Sequence, residues 1–344
     1  MAPAISYWTI AALVLGFAIL LPFIMGFFGG NRFEVKGKTI LLTGASEGMG
    51  KSVAIQLAQK GANLMIVSRS VEKLEAALLE IKAAASSPSQ RFHYLSADVT
   101  LPNESARILT ETTTLLGSAP DIVWCIAGSS HPALFLDTPI STMRSQMDMN
   151  YWSCVDMAHA VLSRWLAPDA AGTPKADRHL IFTSSVLAFY STTGYSPYSP
   201  AKAALKSLAD TLDQELLLYP HPPKIHVVFP ATITSPGLER ENRTKPAVTL
   251  LLEEADPVQS PDQVAKAAIA GLEKGEYLIT TGILGTAMRA CAWGGSRRNA
   301  GLKDWIVECG LAAVWGVVRW DLDGKVKRWG VEKEFMRGGT TSAK

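Results

Sequence analysis

The chain has 344 residues, 48% hydrophobic and 19% charged, which excludes an intrinsically disordered protein because disorder needs low hydrophobicity and high net charge. A formal net charge of +2 gives no electrostatic basis for nucleic-acid binding. The four cysteines form neither a disulfide framework nor a Cys-x-x-Cys or Cys/His motif, so we predict no metal site and a reduced, cytosol-facing domain.

Residues 1–31 predict an N-terminal membrane anchor. They contain no Asp, Glu, Lys or Arg and are almost continuously apolar over 4–30, enough to cross a hydrocarbon core about 30 Å thick. Arg32, Lys36 and Lys38 follow, and the positive-inside rule then places the rest of the chain in the cytosol. The alternative, a cleaved signal peptide, lacks a charged n-region and an Ala-x-Ala cleavage site.

From Lys38 onward, short apolar runs alternate with amphipathic helical patterns. The predicted strands are KTILLTG, NLMIVSR, RFHYLSADV, DIVWCIAG, HLIFTSS and KIHVVFP. This repeated βα order predicts an α/β, doubly wound parallel sheet of the Rossmann type over residues 36–275, with helices on both faces. Ser86–Gln90 and Pro168–Arg178 are predicted to be surface loops.

The first strand runs into a glycine-rich turn, and a helix is predicted to begin at Lys51. Such a turn lets the backbone approach a pyrophosphate, which the helix N-terminus then binds through free N–H groups. An ordinary tight turn is the alternative. We expect Glu47 to point outward, since a negative charge is unfavourable near phosphates. The candidate cofactor-binding residues of this turn are Gly44, Ser46, Glu47, Gly48 and Gly50.

The end of the second strand distinguishes NADPH from NADH. It carries Ser68-Arg69-Ser70, with Lys73 one turn on, where an NAD site usually has an acidic residue for the ribose hydroxyl. A guanidinium matches a 2′-phosphate, so NADPH is predicted; solvated residues at a helix start are the alternative. Asp98, after the third strand, is expected either to accept from the adenine amine or to cap a helix.

Tyr198 and Lys202 are predicted to form the proton-transfer pair. Their i, i+4 spacing places them on one helical face, and Pro200 fits only the first turn, so Tyr198 lies at the helix start. A phenol with a pKa near 10 is a poor catalyst at neutral pH. We expect the neighbouring ammonium to lower the pKa of Tyr198.

Three further polar residues complete the candidate catalytic set. Ser184 and Ser185 close the strand before Tyr198, where either hydroxyl can hydrogen-bond a carbonyl that is being reduced. Asn150 lies inside a predicted helix, where its polar side chain can hold a water for proton return.

Together these motifs resemble the classical short-chain dehydrogenase/reductase family. The resemblance covers residues 36–275 and implies an NADPH-binding reductase. It implies that Tyr198 donates the proton and that Lys202 binds the ribose and adjusts the pKa of Tyr198. It also implies that Asn150 belongs to the proton relay and that Ser185, rather than Ser184, orients the substrate. Gly128, in the Ala-Gly pair after strand four, is expected at the cofactor.

A narrower resemblance is carried by Ser235–Pro246, which is similar to the substrate loop of the 3-ketodihydrosphingosine reductases. It implies reduction of the C3 ketone of 3-ketosphinganine to sphinganine, in the endoplasmic reticulum membrane. Two positions depart from that group: Ile126 replaces an asparagine, and the segment before the loop is less acidic than expected. Glu239 and Glu241 are candidates for binding the substrate ammonium, with solvated loop residues as the alternative.

Residues 276–344 are predicted to form a hydrophobic, membrane-associated region. Tyr277–Trp293 and Trp305–Trp320 are apolar but short for full spans. They predict a membrane-dipping helical pair, an interfacial helix or an oligomer contact; two helices packed on the domain are the alternative. Rival functions are a membrane-anchored reductase of steroid, retinoid or other lipid carbonyls and a catalytically silent scaffold. The complete Ser–Tyr–Lys–Asn set argues against the scaffold.

Overall fold

The computed structural model describes residues 30–167, 177–219, 221–294 and 296–332. The predicted anchor therefore lies outside the described residues except for Gly30 and Asn31. Only the last two residues of the loop predicted at Pro168–Arg178 are described.

The domain is built on a seven-stranded parallel sheet in the order β3-β2-β1-β4-β5-β6-β7. All six predicted strands are present, and five of them are buried on both faces, as a sheet covered by helices requires; in the edge strand β3 only Phe92 is buried. Side chains alternate between two cores, so Leu41 packs on one face while Ile40 and Leu42 pack on the other. The strands are β1 Thr39–Thr43, β2 Asn63–Ser68, β3 Phe92–Ser96, β4 Ile122–Cys125, β5 His179–Thr183, β6 Lys224–Phe229 and β7 Leu278–Thr280.

Eleven α-helices in the described part of the chain connect and cover these strands. The first begins at Gly48, three residues before the predicted start at Lys51, so the last two glycines of the turn lie within its first helical turn. The helices are α1 Gly48–Gln59, α2 Val71–Ala83, α3 Glu104–Leu116, α4 Ile140–Met147, α5 Ser153–Trp165, α6 Ser199–Glu215, α7 Pro236–Asn242, α8 Ala247–Glu253, α9 Pro261–Glu273, α10 Ile283–Ala290 and α11 Leu302–Glu332.

The segment Tyr277–Trp293 differs from the helical and membrane-dipping predictions. It begins with β7, which pairs with β6, and only then forms α10. Tyr277 and Trp293 are buried in the core, and the Tyr277 hydroxyl donates to Asp210 at 2.8 Å. The apolar character of this segment therefore serves the sheet and its packing, and the sheet extends beyond residue 275.

The long helix α11 carries the second apolar segment. Its side chains include exposed Trp305, Val317 and Trp320. Within the described residues, no helix combines the length and the apolar character needed to cross a membrane.

Candidate active site

The carboxyl ends of the strands bring the predicted motifs to one edge of the sheet. The chain leaves β1 toward β2 on one side, whereas β4 pairs with β1 on the other side. The order of the strands therefore reverses between β1 and β4. In open parallel sheets, ligands bind in the crevice at such a point. The glycine turn after β1, Gly128 after β4 and Ser185 after β5 all lie at this edge.

The glycine turn is shaped for a close approach to its backbone. Gly44 and Gly48 have positive φ angles of 69° and 56°, which side chains disfavour. A Cβ on Gly44 would lie 2.6 Å from the Ala127 Cα, and one on Gly50 would overlap the Gly44 carbonyl oxygen. Ser46 Oγ donates to Ser68 Oγ at 2.9 Å. The turn is thus fixed between β2 and β4 at the N-terminus of α1, the kind of helix end whose free N–H groups bind phosphates.

Glu47 joins this turn to two cations instead of pointing freely outward. Its carboxylate accepts from Lys73 Nζ at 2.6 Å and from Arg240 of α7. Burial raises the pKa of this carboxyl, but the hydrogen bonds from Lys73 and Arg240 outweigh it and hold the pKa below its usual value. The predicted phosphate ligand Lys73 is therefore held beside the turn, and α7 is held against it.

Arg69 and Asp98 lie beside each other at the ends of β2 and β3. Arg69 Nη1 is 3.9 Å from Asp98 Oδ2, and its side chain is 69% exposed, so the guanidinium is accessible to an anion. Asp98 Oδ1 accepts from the Thr100 backbone N–H at 3.1 Å and from the Thr100 hydroxyl at 2.7 Å. These bonds close a local turn and do not cap the following helix, whose N-cap is Asn103; adenine binding by Asp98 stays a prediction.

Tyr198 occupies the N-cap of α6, with Pro200 in the first turn, as the motif predicts. The expected lowering of the pKa of Tyr198 is wrong for this structure: burial raises it, the charge of Glu241 raises it further, and only a hydrogen bond with Ser185 opposes them. Lys202 Nζ lies 5.5 Å from the centre of the Tyr198 ring. Burial also lowers the pKa of Lys202 to about 8, which weakens its influence on the phenol.

The two adjacent serines have different partners. Ser184 Oγ donates to the carbonyl oxygen of Lys202 at 2.8 Å and is buried. Ser185 Oγ accepts from the Leu187 N–H at 3.2 Å and is hydrogen-bonded to Tyr198. Ser184 therefore ties β5 to α6, whereas Ser185 faces the candidate proton donor.

Asn150 sits in a π-helical turn, Asp148–Trp152, between α4 and α5. Its fully buried side chain accepts from the Ser129 N–H at 3.2 Å and donates to the Ser129 carbonyl at 2.8 Å. A Cβ on Gly128 would lie 3.0 Å from Asn150 Oδ1 and 3.3 Å from Lys202 Nζ. The Asn150 and Lys202 side chains thus both lie close to Gly128. The role of Asn150 in a proton relay stays a prediction.

A buried polar cluster next to Tyr198 was only partly anticipated by the sequence. We call it the Tyr195 cluster: Tyr195, Glu241, Lys245 and Glu253. The Tyr195 hydroxyl lies 2.6 Å from a carboxylate oxygen of each glutamate. Lys245 Nζ lies 2.6 Å from Glu253 and 3.2 Å from Glu241. Of the two candidate carboxylates, Glu241 is in the cluster, whereas Glu239 is exposed.

An apolar groove lies between α10 and α11. Its lining includes Ile283, Ala287, Val307 and Leu311. A Cβ on Gly285 of α10 would lie 3.0 Å from the Val186 side chain, and Val186 directly follows Ser185. The groove is therefore built on a helix that packs beside the catalytic strand end.

Together, these arrangements indicate the class of protein. Three features fit a bound dinucleotide beside a reducible carbonyl. They are a glycine turn with no room for side chains, exposed cations at the end of β2, and a Ser–Tyr–Lys group where β5 ends and α6 begins. No group of three or more possible metal ligands occurs among the described residues.

A family model for the short chain dehydrogenases matches residues 38–246, and the chain belongs to that family. A structure of a short-chain dehydrogenase/reductase from Mycobacterium ulcerans superposes with a TM-score of 0.60 at 21% identity, covering 72% of this chain and 89% of that one. One from Burkholderia phymatum, in complex with NAD, gives 0.62 at 17% identity, covering 72% and 90%. These two structures share the fold.

Closer relatives identify the group within the family. A 3-ketodihydrosphingosine reductase from Aspergillus fumigatus is 49% identical over 88% of this chain and 87% of its own length. One from Neurospora crassa is 47% identical over 90% and 87%. A 3-dehydrosphinganine reductase from Danio rerio is 29% identical over 83% of each chain. The chain is thus an oxidoreductase that uses a nicotinamide cofactor and groups with the 3-ketodihydrosphingosine reductases.

Proposed function

We propose that this protein reduces the C3 ketone of 3-ketosphinganine to sphinganine with NADPH. The single observation that carries the chemistry is the convergence of Ser185, Tyr198 and Lys202 at the carboxyl end of β5. The substrate assignment is supported by the relatives named 3-ketodihydrosphingosine reductase, which match over most of both chains.

The residues of the site have two kinds of role: they bind the carbonyl group, or they take part in proton transfer to it. The bound nicotinamide supplies a hydride to the carbonyl carbon. Ser185 donates a hydrogen bond to the carbonyl oxygen, where negative charge develops. Tyr198 donates the proton to that oxygen, and its raised pKa keeps the phenol protonated at neutral pH. Lys202, held by a bond to the Thr183 carbonyl at 2.9 Å, keeps a positive charge beneath the phenol.

The preference for NADPH rests on charge at the end of β2. Arg69 is exposed and Lys73 lies one turn away beside the glycine turn. Both cations can pair with a 2′-phosphate. No acidic residue follows β2 directly, so the position that would bind the ribose hydroxyl of NAD carries a guanidinium instead.

We further propose that the enzyme works at the endoplasmic reticulum membrane with its catalytic domain in the cytosol. The apolar residues 1–31 support an anchor. A long-chain amino ketone partitions into a bilayer at about 0.8 kcal/mol per buried CH₂. The groove between α10 and α11 and the exposed tryptophans of α11 offer an apolar surface for such a substrate.

NADPH oxidation by the detergent-solubilised protein tests the proposal directly. 3-Ketosphinganine, a steroid ketone and retinal serve as parallel substrates. We expect rapid turnover of the sphingoid ketone alone. Turnover of only the other two would keep the reductase chemistry and discard the sphingolipid assignment.

Tyr198→Phe provides the matched variant for this assay. It removes the proton donor but keeps the ring that packs in the site, so reduction should fall by about 100-fold or more. NADPH binding, followed by cofactor fluorescence, should persist. A purified variant with a near-native rate would show that another group supplies the proton.

A further inference from the structure

The Tyr195 cluster has an unbalanced charge. Its two carboxylates and one ammonium carry one net negative formal charge. Lys245 is buried, with only 2% of its side chain exposed, and both glutamates are 17% exposed. Burial, together with the two carboxylates, strongly raises the pKa of Tyr195, so this residue stays a neutral phenol and does not change the balance.

The hydrogen bonds of the cluster show which carboxylate is less well satisfied. The single Tyr195 proton serves one acceptor at a time, yet Glu241 and Glu253 each place an oxygen 2.6 Å from it. Lys245 Nζ lies closer to Glu253 than to Glu241. Glu241 therefore has the greater capacity for an additional positively charged donor.

The cluster is held firmly beside the reacting group. The Tyr195 and Tyr198 ring centres are 6.2 Å apart, and the negative charge of Glu241 contributes to the raised pKa of Tyr198. Helix α8 is anchored to the segment between β5 and α6 that carries Tyr195, because Thr249 Oγ1 donates to the Thr193 carbonyl at 3.0 Å. A Cβ at Gly194 would overlap that hydroxyl, so the contact depends on glycine there.

The chemistry of an α-amino ketone matches this arrangement. Its ammonium and its ketone are on adjacent carbons, so a carboxylate that pairs with the ammonium must lie beside the hydroxyl that protonates the ketone. Resting on the proposed function, we propose that Glu241 binds the substrate ammonium and that Glu253 and Lys245 position Glu241. The net negative charge of the cluster then selects amino ketones over neutral ketones.

A comparison of two substrates tests the proposal. The first is 3-ketosphinganine, and the second is its analogue with a hydroxyl in place of the amine. The wild type should prefer the amino ketone in kcat/KM. Glu241→Gln keeps the size of the side chain but removes its charge. It should lower kcat/KM for the amino ketone by about 30-fold or more and leave the value for the hydroxy analogue within about threefold.

Glu239→Gln is the matched control, because Glu239 is on the same helix but exposed. It should keep the wild-type ratio between the two substrates. A Glu241→Gln enzyme that keeps that ratio would overturn the proposal. Equal wild-type turnover of both substrates would overturn it as well while leaving the proposed function intact. No wild-type turnover of 3-ketosphinganine would instead remove the proposed function.

Inhibition of the wild type covers the case in which Glu241→Gln does not fold, as judged by circular dichroism. A saturated long-chain amine should inhibit at least about tenfold more strongly than the alcohol of equal length, because only the amine can pair with Glu241. Equal inhibition by the two compounds would overturn the proposal.

Discussion

At the scale of single residues, the motif spacing predicts most of the candidate site. Tyr198, Lys202 and the glycine turn are set by local geometry, since a helix or a strand-to-helix turn fixes neighbours three or four positions apart. The Tyr195 cluster lies beyond this reach. Tyr195 meets Glu241 and Glu253 across separations of 46 and 58 residues, and only the folded loops bring them together.

The pKa of Tyr198 shows a second limit of sequence reasoning. The i, i+4 spacing predicts a lysine near the phenol, and the structure has one. Spacing does not reveal burial, which penalises the charged forms of both residues. The sign of the shift therefore depends on the tertiary structure.

The two serines should respond differently to alanine substitution. Ser185→Ala removes the hydrogen bonds to Tyr198 and to the reacting carbonyl, so kcat should fall by about 100-fold; it also removes the cap on the Leu187 N–H, at a cost of about 1 kcal/mol in the free energy of unfolding. Ser184→Ala removes the bond to the Lys202 carbonyl and should lower the free energy of unfolding by about 1 kcal/mol while most of the rate remains. Steady-state kinetics with thermal denaturation would separate these outcomes; a reversed pattern would exchange the assigned roles.

Lys202 should limit the rate at alkaline pH. Its pKa in the folded protein is about 8, so the ammonium is present below that pH and lost above it. Tyr198 keeps its proton across this range because its pKa is raised. We expect kcat/KM for reduction to fall as the pH rises through about 8. A flat profile up to about pH 9.5, with the fold intact by circular dichroism, would contradict this assignment.

Arg69 should determine the choice of cofactor. Arg69→Ala removes the most exposed cation near the end of β2, so KM for NADPH should rise by about tenfold or more. KM for NADH should change little, because NADH has no 2′-phosphate. Kinetics with both cofactors check this, and equal losses with the two would separate Arg69 from phosphate binding.

At the scale of secondary structure, long apolar runs and their βα alternation predict six of the seven strands. β7 has only three residues and lies within an apolar stretch, so it carries no periodicity of its own. The helix after the glycine turn begins at Gly48, three residues earlier than predicted, although Gly48 itself keeps a positive φ of 56°. Apolar character alone does not distinguish a buried strand from a membrane-seeking helix.

A histidine pair joins the beginnings of β5 and β6 and should make stability depend on pH. His179 Nδ1 and His226 Nε2 are 3.0 Å apart. Mainly through burial, the pKa of His179 falls to about 4 and that of His226 to about 3. Both are neutral when folded, whereas the unfolded chain takes up protons below about pH 6.5. Stability is therefore full above that pH and is lost as the pH falls toward 4.

The thermal midpoint should accordingly fall between pH 7 and pH 5, with each buried histidine costing about 1–2 kcal/mol at the lower pH. His226→Gln should reduce this difference, even if it lowers stability at pH 7. His159→Gln on α5 is a suitable control, because this exposed histidine lies outside the pair. An unchanged pH dependence in His226→Gln would show that other groups cause the loss.

At the scale of the whole molecule, the fold follows from the sequence, whereas the relation to the membrane remains a proposal. The sheet and its covering helices agree with the predicted doubly wound arrangement. The anchor at 1–31 lies almost wholly outside the described residues. Where the chain enters the domain is nevertheless clear: Phe33 and Val35 are buried, and Phe33 packs edge-on against His179 at 5.0 Å.

Removal of residues 2–29 should separate anchoring from catalysis. The shortened protein should move from the membrane fraction toward the soluble fraction, since its longest apolar run is gone. It should reduce detergent-dispersed 3-ketosphinganine at close to the full rate. A longer deletion through Val35 should lower the thermal midpoint, because it also removes core side chains. Complete retention of the shorter variant in membranes would assign the attachment to the C-terminal helices.

The strand order also has a consequence for synthesis of the chain. β1 lies inside the sheet, β2 and β3 add on one side, and β4 through β7 then add one after another on the other side. Each strand that emerges from the ribosome can thus pair with a strand that has already been synthesised, and no later strand must insert between two earlier ones. Until β7 arrives, however, the growing sheet ends in an exposed edge of unpaired backbone groups, which is a template for pairing with another chain. A fragment released after β6 would therefore be prone to aggregation. In the finished protein, the three-residue β7 leaves only a short edge on this side of the sheet, which offers fewer unpaired backbone groups to another chain.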